Sequence, residues 1–461
     1  MGMTAARYDA VVIGAGPAGE VVAGRLAEHG RSVAIVERDL VGGECAFYAC
    51  MPSKALLRPG ELLAEARRVP GVAEAVSGVL DVEAVLRRRD EVVQDLDDEG
   101  HLPWLQKRGI TLVRGHGRLN GERSVVVDGH WLTARDAVVI ATGSTAAIPD
   151  VPGLADAHPW TNREATTAKR VPARLLILGG GVVGVEMADA YASLGAAVTL
   201  VEPLDRLVSR EEEFASEQLA DALRAAGVDV RLGVKATSVQ RDGAVRAELD
   251  DGSTVEADEI LVAAGRRPLS DDLGLDSVGL SGGSVIDVDD QMRAAGLPWL
   301  YAVGDVNGRA LLTHVAKYQA RVLADVILGD EDARVRHDDS TAPRAIFTDP
   351  QVAAVGLTLA AARERGLDAR AYDVETSATP GASFSGRNTA GTSRLVVDAA
   401  RRVVVGATFT GTEVVEWLHA ATIAVSAEVP LARFRDAVPV FPARSEIWLR
   451  LLERLEADGL V

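Results

Sequence analysis

One pattern occurs twice in this chain and restricts the fold more than any other feature. The stretch "YDAVVIGAGPAGEVVAGRLAEHGRSVAIVE" runs from Tyr8 to Glu37, and "ARLLILGGGVVGVEMADAYASLGAAVTLVE" runs from Ala173 to Glu202. Each copy reads as an apolar strand, a glycine-rich turn, a helix, and a second strand that ends in a glutamate. In both copies the first glycine precedes the glutamate by 23 residues. The repeat predicts two βαβ folds of the type that binds a dinucleotide.

Each glycine of the turn has its own task. The first makes the tight turn after the strand, the second lets the backbone approach a pyrophosphate, and the third lets helix and strand pack closely. The pyrophosphate then lies on the helix N-terminus, and the final glutamate accepts hydrogen bonds from ribose hydroxyls. These residues are Gly14, Gly16, Gly19 and Glu37 in the first copy, and Gly179, Gly181, Gly184 and Glu202 in the second.

Size and charge limit the possible partners. A chain of 461 residues is long enough for three domains, and its formal net charge of −18 disfavours a nucleic acid or an anionic membrane as partner. The sequence has no apolar segment long enough to span a bilayer and no signal-peptide pattern. We therefore expect a cytoplasmic protein without nucleic-acid or membrane partners.

The texture of the sequence changes after about residue 340. Before it, "AVVIATGS", "ILVAAGRRP" and "LYAVGDV" read as strands, and helices are predicted over 59–68, 81–98 and 211–226. After it, "RLVVDAARRVVVGATFTG" alternates as antiparallel strands do, and "EVVEWLHAATIAVSAE" reads as an amphipathic helix. The C-terminal part is therefore predicted to be a separate α+β domain, with "DARVRHDDSTAP" as a linker.

The two cysteines of the chain, Cys45 and Cys50, both lie in "GGECAFYACMPSK". In the cytosol a structural disulfide is disfavoured, and a metal site needs more ligands than two thiols. Buried structural cysteines are common and remain an alternative. In a regular helix this i,i+5 pair would be separated by a rise of roughly 7.5 Å, whereas a disulfide needs Cα atoms about 4.4–6.8 Å apart. A helix carrying both must be distorted when the bond forms, and a strained bond is easier to reduce.

The sequence resembles one family in its motifs and in their order. These motifs are "IGAGPAG", the C-x4-C motif, "ATGS", "GGGVVGVEMA", "AAGRRP", "YAVGDV" and "FTDPQVAAVGLT". The family is that of the FAD-dependent pyridine nucleotide–disulfide oxidoreductases, which are dihydrolipoamide dehydrogenase-like flavoprotein disulfide reductases. The resemblance implies an α/β fold with two Rossmann-like dinucleotide-binding domains, for FAD and NAD, and a C-terminal α+β dimerisation domain. The expected boundaries are 1–153 with 270–335 for FAD, 154–269 for NAD, and 340–461 for the interface domain. It also implies a homodimer whose active site is shared between subunits.

The resemblance also assigns residues by position. The FAD side takes Gly14, Gly16, Gly19, Glu37, Gly43, Lys54, Gly117, Gly143, Asp305, Leu312, Thr313 and His314. The nicotinamide side takes Gly179, Gly181, Gly184, Glu202 and Gly265. The catalytic group is Cys45, Cys50, Lys54, Glu186 and Glu446.

Within that catalytic group the resemblance gives each side chain a role. It implies that Cys50 is the thiolate against the flavin, that Cys45 exchanges with the substrate, and that Lys54 pairs with Glu186. Two unrelated surface charges are the alternative for the last pair. A carboxylate at Glu202 accepts from a ribose 2′-OH but repels a 2′-phosphate, so NADH is expected over NADPH.

The chain departs from the family where a base is needed. The family's H-P-T-x-S-E stretch reads "FPARSE" at 441–446, so Phe441 replaces the histidine. General acid–base catalysis contributes about 10²–10⁴ in rate, and ordinary dithiol–disulfide exchange should be slowed accordingly. The usual "CLN-x-GC" is "CAFYAC" here. Alternatively, Tyr48, Glu446 or a bound water supplies the base.

We therefore expect an oxidoreductase that takes hydride from NAD(P)H to FAD and passes electrons to a small-molecule acceptor, either quinone-like or an unusual disulfide. Dihydrolipoamide dehydrogenase with a replacement base, a tailoring oxidoreductase, and a non-catalytic flavin-binding component of a complex are the alternatives. Mercuric reductase and the larger thioredoxin reductases are disfavoured, because "LLERLEADGLV" ends the sequence without their extra cysteine pair.

Overall fold

The computed structural model describes residues 6–337, 341–386, 389 and 391–461. The predicted linker at 332–343 therefore lies partly outside the described residues. In chain order the strands are β1 (Ala6–Ile13), β2 (Val33–Glu37), β3 (Thr111–Arg114), β4 (Gly117–Leu119), β5 (Ser124–Val127), β6 (His130–Ile140), β7 (Ser144–Ala146), β8 (Arg174–Leu178), β9 (Ala197–Glu202), β10 (Asp229–Leu232), β11 (Ala236–Asp242), β12 (Ala244–Leu249), β13 (Thr254–Ala257), β14 (Glu259–Val262), β15 (Arg266–Pro268), β16 (Leu300–Ala302), β17 (Arg344–Ile346), β18 (Gln351–Gly356), β19 (Ala369–Glu375), β20 (Thr392–Asp398) and β21 (Val403–Gly411).

The α-helices are α1 (Pro17–Glu28), α2 (Gly43–Phe47), α3 (Cys50–Arg68), α4 (Val82–Val92), α5 (Leu102–Lys107), α6 (Asn162–Thr167), α7 (Val182–Ser193), α8 (Glu213–Ala225), α9 (Thr313–Ile327), α10 (Leu359–Glu364), α11 (Leu418–Ser426), α12 (Leu431–Phe434) and α13 (Ile447–Ala457). Short 3₁₀ turns lie between them, among them Gln94–Leu96 and Arg444–Glu446. No helix among the described residues is both long and apolar enough to cross a membrane.

The chain divides into two compact units. The first unit comprises Met1–Pro52, Arg89–Ala147 and Arg266–Asp339. Its main sheet has the order β3-β2-β1-β6-β5-β4, with β16 also paired to β6. The pairs that join β3, β2, β1, β6 and β16 are parallel, whereas β4 and β5 run antiparallel. Strands β7 and β15 form a separate antiparallel pair.

In the first unit the central strand β1 is buried on both faces. Ala10 and Val12 pack in one apolar cluster, with side chains of α1 and α9. Val11 and Ile13 pack in another, with side chains of β5, β6 and β16. The alternation follows from the two-residue period of a strand, and burial on both faces explains why β1 reads as a continuous apolar run.

The second unit comprises Ser53–Arg88, Ile148–Gly265 and Ser340–Val461. It contains a parallel sheet of order β10-β9-β8-β14, an antiparallel sheet β11-β12-β13, and an antiparallel sheet β17-β18-β21-β20-β19. In β8, Leu175 and Ile177 pack with α7, while Leu176 and Leu178 pack with β11 to β13. The core under the five-stranded sheet includes Phe409 and side chains of α11 and α13.

The structure confirms the α/β class, and both predicted βαβ repeats are present as β1-α1-β2 and β8-α7-β9. Four parallel strands of each sheet share one order, β3-β2-β1-β6 and β10-β9-β8-β14, with the two strands of the repeat in the middle. The alternating C-terminal segment forms the antiparallel pair β20-β21. The helix predicted over 81–98 is wrong beyond Val92, because Gln94, Asp95 and Leu96 adopt positive φ angles of 52°, 52° and 62°. The three-domain boundaries stay a prediction.

Candidate active site

The first glycine-rich turn is built for close backbone approach. Gly14 has a φ of +107°, and a Cβ placed there would lie 2.4 Å from the carbonyl oxygen of Ala141. A Cβ on Gly19 would lie 1.9 Å from the carbonyl oxygen of Gly14. Both positions therefore require glycine for reasons internal to the fold: the first for the turn, the third for packing of α1 on β1.

The second glycine-rich turn has nearly the same geometry. Gly179 has a φ of +111°, and its added Cβ would lie 2.5 Å from the carbonyl oxygen of Ala263. The added Cβ of Gly184 would lie 1.9 Å from the carbonyl oxygen of Gly179. The two sequence repeats therefore encode the same turn twice.

The middle glycine of each turn has no such internal reason. Gly16 and Gly181 are both N-caps with ordinary φ of −75°, and a Cβ at either would meet nothing within 4 Å. The space in front of each helix N-terminus is therefore free for a ligand that approaches the backbone. A diphosphate fits that place because unpaired N–H groups point at it. The residues present thus fit one dinucleotide in each unit.

The two repeat glutamates are held by the glycine loops themselves. Glu37 Oε2 accepts a hydrogen bond of 2.7 Å from the Ala15 backbone N–H, and Glu202 Oε2 accepts one of 2.5 Å from the Gly180 N–H. Both side chains are 9% exposed. Each carboxylate is oriented at the end of its strand and keeps lone pairs for a ribose hydroxyl.

Four further glycines predicted at the cofactors have separate surroundings. A Cβ on Gly43 would lie 2.8 Å from the Gly16 Cα, so the start of α2 is packed on the start of α1. A Cβ on Gly117 would lie 3.0 Å from a side chain of β2. Gly143 and Gly265 have φ angles of +73° and +136°, with nothing within 4 Å of an added Cβ. Gly117 is thus set by packing, Gly143 and Gly265 by backbone conformation, and Gly43, with a φ of +62°, by both.

Asp305 belongs to a polar cluster in the first unit. Its Oδ2 accepts a 2.6 Å hydrogen bond from the Ser144 hydroxyl and lies 3.9 Å from Arg266 Nε. Arg266 also donates to Ser144 Oγ at 2.6 Å and lies 3.6 Å from the carboxylate of Glu44. Burial raises the pKa of Asp305, and the Ser144 hydrogen bond opposes that shift. Ser144 and Arg266 were not among the predicted site residues, although both lie in the quoted motifs "ATGS" and "AAGRRP".

The cysteine pair lies where one helix ends and another begins. Cys45 is in α2, which ends before Tyr48 with a φ of −132°, and Cys50 is the first residue of α3. The two cysteines therefore do not share one regular helix. The distortion expected when a disulfide forms stays a prediction. Both cysteines are free thiols. A hydrogen bond with Cys50 raises the pKa of the Cys45 thiol, and burial raises it further.

A threonine hydroxyl touches the cysteine pair. The Thr313 Oγ1 atom lies 3.4 Å from Cys50 Sγ, and its hydrogen bond to Cys45 lowers the pKa of that thiol. Thr313 starts α9, with Leu312 as its N-cap and His314 next to it. The sequence assigned these three residues to the FAD side, without a contact to the cysteines. The contact of the hydroxyl with sulfur joins positions 263 residues apart, and no local pattern could have indicated it.

Lys54 and Glu186 form an ion pair inside the second unit. The Lys54 Nζ atom lies 2.8 and 3.0 Å from the two carboxylate oxygens. Glu186 is 3% exposed, and its Oε1 also accepts a 3.1 Å hydrogen bond from the Phe347 backbone N–H. The Lys54 ammonium lies 4.6 Å from the centre of the Phe347 ring. The pair is present, so the alternative of two unrelated surface charges is wrong for this contact.

The stretch predicted to replace the family's base lies in the second unit. Glu446 is buried, and its Oε2 accepts a 3.2 Å hydrogen bond from the Ala443 backbone N–H. Phe441 is 71% exposed, and the neighbouring Val438 and Val440 are 84% and 75% exposed. The structure therefore brings together Cys45 with Cys50 in the first unit and Lys54 with Glu186 in the second, whereas Glu446 bonds to its own loop.

Comparison with known families decides the assignment. Residues 8–320 match the family model described as pyridine nucleotide-disulphide oxidoreductase, and residues 342–451 match its dimerisation domain. The chain belongs to the pyridine nucleotide-disulphide oxidoreductase family. The expected enzyme class, an FAD-dependent oxidoreductase that uses NAD(P)H, is thereby confirmed, as is the presence of a C-terminal dimerisation domain.

Relatives within this family differ in the acceptor named for them. Mercuric reductase of Staphylococcus aureus is 30% identical over 445 residues, which cover 95% of this chain and 81% of the relative. Dihydrolipoyl dehydrogenase of Haloferax volcanii is 32% identical over 469 residues, covering 98% and 97%. The HOCl-induced flavoprotein disulfide reductase RclA from Escherichia coli, solved also as a Cu(II) complex, superimposes with a TM-score of 0.85 at 26% identity, covering 97% and 99%. The acceptor of this oxidoreductase is not fixed by family membership.

Proposed function

We propose that this chain is an NADH-dependent FAD oxidoreductase whose Cys45–Cys50 pair is redox-active. Its acceptor is a small molecule, either quinone-like or an unusual disulfide. One observation carries the choice of acceptor: a phenylalanine, Phe441, stands at the family's acid–base histidine, while the thiol pair and the lysine–glutamate pair are retained.

The hydride half of the reaction rests on the two dinucleotide turns and on Lys54. When bound, FAD accepts a hydride from a reduced nicotinamide and passes electrons on to a disulfide. Glu186 holds the Lys54 ammonium at 2.8 Å, and the carboxylate side of this ion pair is buried. None of these groups has to take a proton from a substrate, so the missing histidine leaves this half unaffected.

The thiol half lacks a means of removing a proton. The Cys45 thiol has a raised pKa because of its hydrogen bond with Cys50 and its burial, so it holds its proton. A thiolate, not a thiol, attacks a disulfide. The benzyl group of Phe441 has no lone pair and cannot accept that proton. Exchange with an ordinary dithiol substrate should therefore lose about 10²–10⁴ in rate.

The preference for NADH is supported by the second repeat. The Glu202 carboxylate is fixed by backbone N–H groups, including that of Leu204 at 2.8 Å. Arg206, the cation four residues further on, donates to the carbonyl oxygens of Ser209 and Glu211 at 2.6 and 3.2 Å. It is occupied by its own loop, so a 2′-phosphate would meet a carboxylate without a free guanidinium.

We further propose a cytoplasmic homodimer with a shared active site. The exposed apolar run at Val438, Val440 and Phe441 supports an interface, because exposed apolar side chains that are grouped together mark interaction sites, whereas scattered ones do not. The run also contains the position at which the family supplies its base. Each subunit would therefore present Phe441 to its partner.

A soft metal ion is a second candidate acceptor. The two free thiols share a hydrogen bond, and thiolates are the ligands that select soft metals. Mercuric reductases that are 30% identical to this chain support this acceptor. The sequence has only Cys45 and Cys50, so any metal would bind to this pair and not to an extra C-terminal cysteine pair. Like a quinone, such an acceptor needs no histidine base.

The test is anaerobic reduction followed by an acceptor panel. The purified FAD-loaded protein should be bleached by NADH, and its colour should return with a quinone within seconds. The panel also contains lipoamide, a small disulfide, Hg(II) and Cu(II). Fast turnover of lipoamide would instead show a replacement base and a dihydrolipoamide dehydrogenase. Failure of NADH to bleach the flavin would indicate a non-catalytic flavin-binding component and would overturn the proposal.

A further inference from the structure

We propose that Phe347 is a positioning residue for hydride transfer, acting through the Lys54 ammonium. The inference rests on the proposed function, since it assumes that Lys54 serves the flavin. It adds a side chain that lies nearly 300 positions further along the chain than Lys54 and was not among the predicted site residues. All the residues in this network belong to the second unit.

The Lys54 ammonium has partners on two sides. The Glu186 carboxylate binds it at 2.8 and 3.0 Å, and the Phe347 ring centre lies 4.6 Å away. That distance is within the range in which a cation is attracted by the face of an aromatic ring. The Lys54 side chain is 35% exposed, so the carboxylate alone does not enclose it. The ring restricts the positions that the ammonium can occupy around Glu186.

The ring itself is held in place from the backbone. The Phe347 N–H donates to Glu186 at 3.1 Å, and the Asp349 N–H donates to Asp189 at 3.1 Å. Glu186 and Asp189 are three residues apart on α7 and therefore share a face of that helix. Two carboxylates on the same face of α7 thus hold the backbone of residues 347–349, which carries the ring.

A third contact ties the same segment to the helix of Lys54. Arg68, at the end of α3, binds the Asp349 carboxylate at 2.6 Å. The segment is therefore fixed to α7 at two points and to α3 at one, and these are the two helices that supply Glu186 and Lys54. Such an arrangement makes Phe347 a support of the ion pair rather than a freely mobile surface ring.

The test compares two substitutions at Phe347 in two backgrounds. Phe347→Leu keeps an apolar side chain but removes the aromatic face, whereas Phe347→Tyr keeps the face. Anaerobic stopped-flow measures flavin reduction at saturating NADH. We expect Phe347→Leu to slow it about two- to five-fold, the factor that an exposed cation–π contact supplies. Phe347→Tyr should remain within about two-fold of the unaltered protein, and neither should change the Kd for NADH.

The same substitution in a Lys54→Met background separates positioning from structure. If Phe347 acts through Lys54, Phe347→Leu should cause no further loss there, because the two effects belong to one interaction. An equal loss in both backgrounds would overturn the inference and show a structural role. Equal rates for the Leu, Tyr and unaltered proteins would overturn it as well.

A spectroscopic readout is independent of turnover. The chain has five lysines, so ¹³Cε-lysine labelling of the holoenzyme gives few signals, and loss of one in Lys54→Arg assigns Lys54. Phe347→Leu should move that signal by removing the ring current, and Phe347→Tyr should not. An unmoved signal contradicts the inference. If NADH fails to bleach the flavin of the unaltered protein, the proposed function fails, whatever the lysine signal shows.

Discussion

Asp189 should make the stability of this protein depend on pH near neutrality. It lies one turn after Glu186 on α7 and accepts a 3.1 Å hydrogen bond from the Asp349 N–H. Burial raises the pKa of Asp189 from 3.8 to about 7, and the nearby charges of Asp349, Glu186 and Glu61 add to that shift. The backbone hydrogen bond opposes it. The perturbation we consider is Asp189→Asn, which has the same shape and stays neutral at every pH.

The sign follows from the raised pKa in the folded state. Between about pH 4 and pH 7 the unfolded chain has an ionised Asp189 and the folded chain a protonated one. The folded state then binds more protons, so the free energy of unfolding falls as pH rises through this window and is constant above it. A shift from 3.8 to about 7 corresponds to about 4 kcal/mol at most. Because the side chain is partly exposed, the change in the free energy of unfolding is smaller than this upper limit, with a lower bound of about 2 kcal/mol.

The assay is thermal unfolding of the FAD-loaded protein from pH 4.5 to 8.5. Asp189→Asn should match the unaltered protein at the acid end and exceed its Tm by several degrees at pH 8. Asp205→Asn, at an exposed position, is the control and should follow the unaltered curve. A Tm difference between Asp189→Asn and the unaltered protein that is the same at pH 5 and pH 8 would refute the reasoning.

Three further predictions concern the redox site. NADH in slight excess without oxygen should give a long-wavelength charge-transfer absorbance, and Cys50→Ala should abolish it; a retained band shows that the thiol assignment is wrong. Phe441→His should raise lipoamide turnover at least about ten-fold while leaving quinone reduction nearly unchanged. Val440→His, at the exposed neighbouring position, is the matched control and should change neither activity. The ratio of kcat/KM for NADH over NADPH should be about 100 and fall at least about ten-fold in Glu202→Ala, since like charges in contact cost several kcal/mol; an unchanged ratio removes Glu202 from cofactor choice.

Local pattern was sufficient for the two repeats. The spacing of the glycines predicted both turns, because the turn itself, the packing of the third glycine on the first, and the approach of a ligand to the helix N-terminus are all properties of the local motif. The contacts of Gly14 with Ala141 and of Gly179 with Ala263 come from distant strands and were not predicted. The five-residue separation of Cys45 and Cys50 predicts a distorted helix in the disulfide form, which the structure with two thiols does not test. The strands of the parallel sheets were found because burial on both faces leaves them continuously apolar.

Local pattern failed where contacts or conformation are set from elsewhere. The helix predicted from Pro59 begins nine residues earlier, at Cys50, and Pro59 lies in its interior, since packing of α3 compensates for one missing N–H. The three left-handed residues after α4 include no glycine, so nothing in their composition signalled a stop. The contacts of Thr313 with Cys50 and of Phe347 with Lys54 join distant positions, and only the folded chain brings them together.

The departures of this chain from its family lie on one side of the chemistry. By the residue-by-residue resemblance, Phe47, Tyr48 and Phe441 stand at positions assigned to the thiol exchange that we propose, whereas the nicotinamide turn, Lys54 and Glu186 match the family's pattern. A quinone can take electrons from the reduced flavin without Cys50, whereas a disulfide or a thiol-bound metal cannot. The Cys50→Ala protein therefore separates the acceptors: retained quinone reduction with loss of disulfide and metal reduction shows two exits for electrons. Loss of quinone, disulfide and metal reduction together would show that electrons reach every acceptor through the cysteine pair. The missing base would then lower the rate with every acceptor whose reduction requires proton transfer at Cys45.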